Sequence, residues 1–163
     1  MDNTILPALN EMASEQSKPT ENTKKKAPQL MDYVATYPDT YIRFHASDMI
    51  LNIDSDAAYL VAPKERSRVA GYFQLGSLPT TTQHPYINGA VLVECKTLRH
   101  VVSSAAEAET GGIFHNAQVA IPIRTLLHKL NYPQPPTPSK LIMLQHVDSY
   151  TTTFIRNVPN HGI

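Results

Sequence analysis

Apolar and polar positions along the chain fall into blocks with different periods. Residues 1–28 are largely polar, and from Pro28 onward Leu30, Met31 and Val34 recur at helical spacing before Tyr37-Pro38. That pattern predicts one short amphipathic helix. Ala27-Pro28 argues against an unbroken helix upstream, because proline lacks an N–H and crowds the preceding turn. Three strand candidates follow: MILNID (Met49–Asp54), RVAGYFQLG (Arg68–Gly76) and AVLVECKTL (Ala90–Leu98). The first is short and apolar, as a strand covered on both faces is. Gly71 inside the second signals a bulge or a close backbone approach. The polar segment SLPTTTQHPYING reads as a long hairpin loop, so the three strands form an antiparallel meander.

A long helix comes next. Ser103 or Ser104 can cap it, and Glu107 lies in its first turn. Ala106, Glu109, Ile113, Ala117, Ala120, Leu127 and Leu130 approximate one inward stripe. Pro122 predicts a kink near Gln118. NYPQPPTPSK then ends the helix and runs on extended.

Composition narrows the class. The 163 residues suit a single domain with a loose arm, and 42% hydrophobic residues suffice for one core, aliphatic because Trp is absent. Fourteen basic and fourteen acidic residues cancel. The basic excess of a freestanding nucleic-acid binder is missing. Lys24-Lys25-Lys26 reads as a solvated face, and the single Cys95 as a buried, inert strand thiol. One cysteine permits no internal disulfide, which fits a reducing compartment. No apolar run reaches transmembrane length and the start is not a signal peptide, so the expected location is intracellular, cytoplasmic or nuclear. The seven histidines show no metal-ligand spacing.

The carboxylates carry the chemistry. An acid on a helical core stripe is costly unless paired or metal-bound, and Glu109 is such an acid. Asp56 closes the first strand, and a helix packed on the sheet can bring the two together. Converging carboxylates suit a hard divalent cation such as Mg²⁺. Asp54 and Glu107 equally fit surface positions flanking nothing.

Three stretches carry a resemblance: ASDMILNIDSDAAYLVAPKERSRVAGYFQLGS (46–77), INGAVLVECKTLRHVVSSAAEAETGG (87–112) and the helix ending PIRTLLHKLNYPQPPTPSK. Together they resemble the ribonuclease H domain of copia-type retrotransposon Pol polyproteins. ALNEMASEQSKPTENT and QLMDYVATYPD resemble the connection that tethers it to reverse transcriptase, so the likeness spans residues 1–140. It implies Asp56 of SDAAYL as the first catalytic aspartate and Glu109 of AEAET as the catalytic glutamate, with Glu107 the weaker claimant. The implied reaction is hydrolysis of the RNA strand of an RNA–DNA hybrid, with two Mg²⁺ ions roughly 4 Å apart. The family's third carboxylate belongs to a lysine-threonine-aspartate-asparagine motif. Here Lys140 is followed by Leu141, Ile142 and Met143, and Ile142 occupies the aspartate's position.

The codon table explains the departure. Degenerate codons for residues 141–163, read one nucleotide earlier, permit threonine-aspartate-asparagine-alanine directly after Lys140. Further on they permit arginine-glycine-phenylalanine-valine, then histidine-asparagine-asparagine-isoleucine-histidine, and at the end glutamine-lysine-arginine-serine-lysine-serine-tryptophan-aspartate. These words match the family's continuation at fixed spacing, which points to the loss of one base, or an equivalent frameshift, near the codon after Lys140. Asp148 is then an accident of frame. LIMLQHV is nevertheless apolar enough to fill a strand slot.

The expected fold is α/β, a ribonuclease H-like mixed sheet. It has the three-strand meander, one long helix on a face and a possible fourth strand parallel to the first, and it is C-terminally incomplete. The expected organisation is a connection segment over 1–46, partly disordered with a short helix, then a ribonuclease H-like domain over 47–140 and an out-of-frame tail over 141–163. The resemblance implies a degenerate, inactive fragment. An active RNA–DNA hybrid nuclease and a non-catalytic nucleic-acid-binding module are the alternatives. The family's partners are the RNA–DNA hybrid and the remainder of the polyprotein, with no membrane, and its cofactor is Mg²⁺, bound weakly or not at all here.

Overall fold

The computed structural model describes residues 3–78, 87–141 and 152–155. Two compact units divide after Arg43, three residues ahead of the division expected from the sequence.

The first unit is helical. A 3₁₀ turn at Asn3–Ile5 leads into α1 (Leu6–Glu15), and α2 runs over Glu21–Thr36. In place of one short helix after Pro28, α2 begins seven residues earlier and continues through the proline. A capping box starts it: Thr20 Oγ1 accepts from the Thr23 N–H at 3.2 Å, and Thr23 Oγ1 accepts from the Thr20 N–H at 3.1 Å. Two orphan amides are thereby satisfied before the helix reaches Pro28. Pro28 is exposed, so the carbonyl it strands one turn earlier can turn to water.

The second unit is mixed α/β. β1 (Ile50–Ala62), β2 (Arg66–Gly76) and β3 (Ala90–Thr97) form the antiparallel meander, and α3 spans Ala105–Lys129. β4 (Thr137–Leu141) lies parallel to β1, and β5 (Thr152–Ile155) lies antiparallel to β4, giving the order β3-β2-β1-β4-β5. The described part of the fourth strand takes the end of the proline-rich segment and Leu141. Ile142, Asp148, most of the expected tail, and residues 79–86 of the expected hairpin loop lie outside the described residues.

β1 outruns its expected end by eight residues. Pro63-Lys64-Glu65 turns the chain, with Lys64 and Glu65 at φ of 61° and 55°, so β1 and β2 pair almost to the turn. Alternation along β1 buries Leu51, Ile53 and Ser55 on one face. Leu51 and Ile53 form the core with Phe73, Ala120 and Leu127. α3 buries Ala108, Gly112, Asn116, Ala120 and Leu127. This stripe is rotated from the expected one: Ala106 and Leu130 are exposed, and Asn116 replaces Ala117 at the centre. Pro122 lies inside α3 on its exposed side. Cys95 is half-buried in β3, where full burial was expected.

A close approach at Gly71 brings α3 onto the sheet. A Cβ there would stand 2.8 Å from Asn116 Cγ and 2.8 Å from Phe73 Cε2. The ladder irregularities fall elsewhere, between Ala58 and Ala62 and between Phe73 and Gln74. Of the two readings of Gly71, close approach is the one observed.

Candidate active site

β1 pairs with β2 along one side, and among the described residues β4 pairs along its other side from Ile53↔Ser139 to Ser55↔Leu141. Backbone alternation turns the amides of residues 51, 53, 55 and 57 to that second side. Ahead of the short ladder, the Leu51 N–H donates to Gln134 Oε1 at 3.0 Å, and Gln134 Nε2 donates to the Met49 carbonyl at 2.9 Å. A side-chain amide thus completes the strand edge ahead of the ladder.

Glu109 lies within electrostatic reach of Asp56. Burial pushes the Glu109 carboxyl above the usual carboxylate range, the negative charge of Asp56 pushes it further, and the Ala57 N–H opposes both. Glu109 Oε2 is buried with no hydrogen-bond partner. A carboxylate crowded by another and left with an unpartnered oxygen is a place where a cation would relieve two costs at once.

The other acids serve elsewhere. Glu107, the weaker claimant, is spent on the start of α3: its Oε2 accepts from the Ser103 N–H at 2.7 Å and from Ser103 Oγ at 2.6 Å. Ser104 Oγ returns the favour by accepting the Glu107 N–H at 3.1 Å, which settles Ser104 as the cap. The Ser103 hydroxyl, followed by its amide, holds the exposed Glu107 carboxyl below its usual range. Asp54 accepts from Gln74 Nε2 at 3.2 Å and joins a buried polar network. In that network Asn88 Nδ2 donates to the His45 carbonyl at 2.8 Å and the Leu75 carbonyl at 2.7 Å.

The donor set fits one hard cation. Mg²⁺ is commonly held by one or two carboxylates, with water and substrate phosphate completing its octahedron, and Asp56 and Glu109 supply that much. Among the described residues no group of three or more His, Cys, Asp or Glu side chains converges. Position 142, where the resemblance expects the third carboxylate, lies outside the described residues and is isoleucine in any case.

Sequence reasoning missed Asn116 and Gln134. Asn116 carried a usable signal, since it is polar and sits seven residues after Glu109 on the same face. Gln134 carried none, because a loop amide becomes an edge cap only through tertiary placement.

In comparisons with known proteins, no family model, no curated protein and no solved structure matches the chain. Among the described residues no helix is long and apolar enough to cross a membrane.

Proposed function

We propose that this chain is a degenerate, retrotransposon-derived ribonuclease H-like fragment. Its parent activity is Mg²⁺-dependent hydrolysis of RNA in RNA–DNA hybrids, and its own site is broken. The supporting observation is that Glu109 lies within electrostatic reach of Asp56, the two acids that the resemblance names. The parallel placement of β4 beside β1, with α3 on the sheet, accords with the fold the resemblance implies.

Asp56 and Glu109 are the residues that would hold a divalent ion. Bound there, the ion would polarise a phosphoryl oxygen or lower the pKa of a water. Glu109 contributes its unpartnered Oε2. Asp56 adds the second negative charge. Isoleucine at position 142 supplies neither an oxygen nor a charge, so a second ion beside the first has too few ligands.

The test compares the chain as written with a version in which one base is restored after the Lys140 codon. Both are assayed with a labelled RNA–DNA hybrid in Mg²⁺ or Mn²⁺. The restored chain is expected to cleave at least about a hundredfold faster, the scale on which a misplaced catalytic group acts. Equal cleavage by both would overturn the broken-site reading. Sequencing the coding DNA supplies a check without protein: stops or unrelated words in the earlier frame would remove the frame-loss argument.

A further inference from the structure

We propose that Asn88-Gly89 is a modification site, at which deamidation of Asn88 releases a strap, residues 44–48, that the Asn88 carboxamide fastens to the sheet. Neither the metal site nor the reading frame after Lys140 enters into it.

Asn88 stands two residues ahead of β3 and is 6% exposed. Its Oδ1 accepts from the His45 N–H at 2.7 Å and from the Gly89 N–H at 2.8 Å. Its Nδ2 donates to the His45 carbonyl at 2.8 Å and to the Leu75 carbonyl at 2.7 Å. Backbone amides only donate and carbonyls only accept, so the carboxamide has one orientation and its whole capacity is used. The main chain of Asn88 is engaged as well. Its N–H donates to Gln74 Oε1, and its carbonyl accepts from the Tyr72 hydroxyl at 2.8 Å. The two bonds to His45 copy what a neighbouring strand would offer, although residues 44–48 form no strand.

Ser47 is a second fastening: its Oγ donates to the Leu75 carbonyl at 2.9 Å and accepts from the Met49 N–H at 3.3 Å. Met49 packs against the core and turns the strap into β1 at a φ of 57°. That left-handed conformation is costly for a residue other than glycine, so losing a fastening favours release.

The Gly89 nitrogen is the nucleophile, and it already lies beside the carboxamide. On losing its proton it attacks Asn88 Cγ, closing a cyclic succinimide and expelling Nδ2, which takes up a proton and leaves as ammonia. Water then adds at one ring carbonyl and breaks its C–N bond, giving aspartate or isoaspartate with no oxidant or reductant. Gly89 has no Cβ to obstruct the closure. In the latched strap the hydrogen bonds hold the carboxamide in place, so closure waits for the strap to open. The product cannot latch again. Aspartate has only acceptors, and one of its oxygens would face the His45 and Leu75 carbonyls as a buried charge.

The experiment ages the full chain at mildly alkaline pH, maps deamidation by peptide mass, and reads limited trypsin digestion after Arg43. Arg43 is exposed and directly precedes the strap. Deamidation at Asn88 is expected, with cutting after Arg43 at least about tenfold faster in the deamidated fraction, the scale of a buried hydrogen bond lost. Asn88→Asp should reproduce the faster cut without ageing, while the Ile53 and Phe73 amides keep their protection from hydrogen exchange. Ser47→Ala removes the second fastening and should speed deamidation of Asn88 severalfold, which keeps the test open if Asn88→Asp fails to fold. An aged chain still intact at Asn88, or a deamidated chain cut no faster after Arg43, overturns the proposal. So does faster cutting matched by an equal loss of protection at Ile53 and Phe73, since Asn88 would then support the whole sheet and latch no strap.

Discussion

Among its described residues the helical unit buries one side chain, Thr23, and that one is polar. The sheet unit leaves Leu51, Ile53 and Phe73 at 0–1% exposure. In the helical unit, Met31, Val34 and Tyr37 remain exposed, and the joining forces are caps and charges. Lys26 Nζ meets Glu11 at 2.7 Å and Glu15 at 3.9 Å, Thr23 donates to Glu15, and Thr4 and Tyr33 share a hydrogen bond of 2.9 Å. Exposed ion pairs are worth about 0–1 kcal/mol each, and helices as short as the ten residues of α1 are marginal alone. Burial is the larger force. The same chain thus contains one unit organised by directional surface contacts and another organised by area removed from water.

The widest gap between the units should appear on truncation. Phe73→Ala removes the largest fully buried side chain among the described residues and should cost about 3–5 kcal/mol in urea unfolding of the sheet unit. Leu30→Ala, in the half-buried part of α2, should cost far less. Equal losses would mean that the helical unit has a core comparable to the sheet's. Next in size is Gly71→Ala. Its Cβ would press on Phe73 and on an Asn116 already held by two hydrogen bonds, so neither neighbour yields cheaply. Overpacking of this kind costs about 1–3 kcal/mol, to be read as a drop in the urea midpoint. In the helical unit the corresponding weak point is a cap: Thr20→Ala should cost about 1 kcal/mol of helix stability, seen as reduced far-UV helicity with β1 and β2 amide protection unchanged.

The same contrast governs what could be read from the sequence. MILNID, RVAGYFQLG and AVLVECKTL announced their strands because burial on a sheet leaves a hydrophobic record. The extension of β1 through AAYLVA left no such record, since it depends on pairing with β2 across a turn whose left-handed residues are Lys64 and Glu65 rather than glycine or asparagine. α2 departs from its expected start because a capping box eight residues upstream of Pro28 offsets the loss at one proline. Glu109 was legible as a charge on an apolar stripe. Asn116 obeys the same logic, but an uncharged amide raises less alarm, and its two acceptors lie 61 and 46 residues away. Local signals fix elements; the site needed the register between them.

The finest comparison lies within α3, between two glutamates two residues apart whose pH dependences should have opposite sign. Burial and Asp56 raise the folded-state pKa of Glu109, so the folded protein holds that proton more tightly than the unfolded chain. Stability from this group is greatest below the ordinary carboxylate range and declines as pH rises through that range to the raised value. The Ser103 hydroxyl and amide lower the pKa of Glu107, so its contribution is present above the ordinary range and is lost as pH falls through it. Glu109→Gln should therefore flatten a decline seen on raising pH, and Glu107→Gln should flatten a loss seen on lowering it. Urea midpoints measured from pH 3 to 8 would separate the two. Glu107 is exposed and salt-screened, so its slope should be the smaller and should shrink with added NaCl. Millimolar Mg²⁺ should reduce the Glu109 slope and leave that of Glu107 alone, because only Glu109 stands beside a second carboxylate with an unpartnered oxygen. Equal responses of the two glutamates to Mg²⁺ would show that the ion acts as general ionic strength, and Asp56 and Glu109 would then have no claim to a metal.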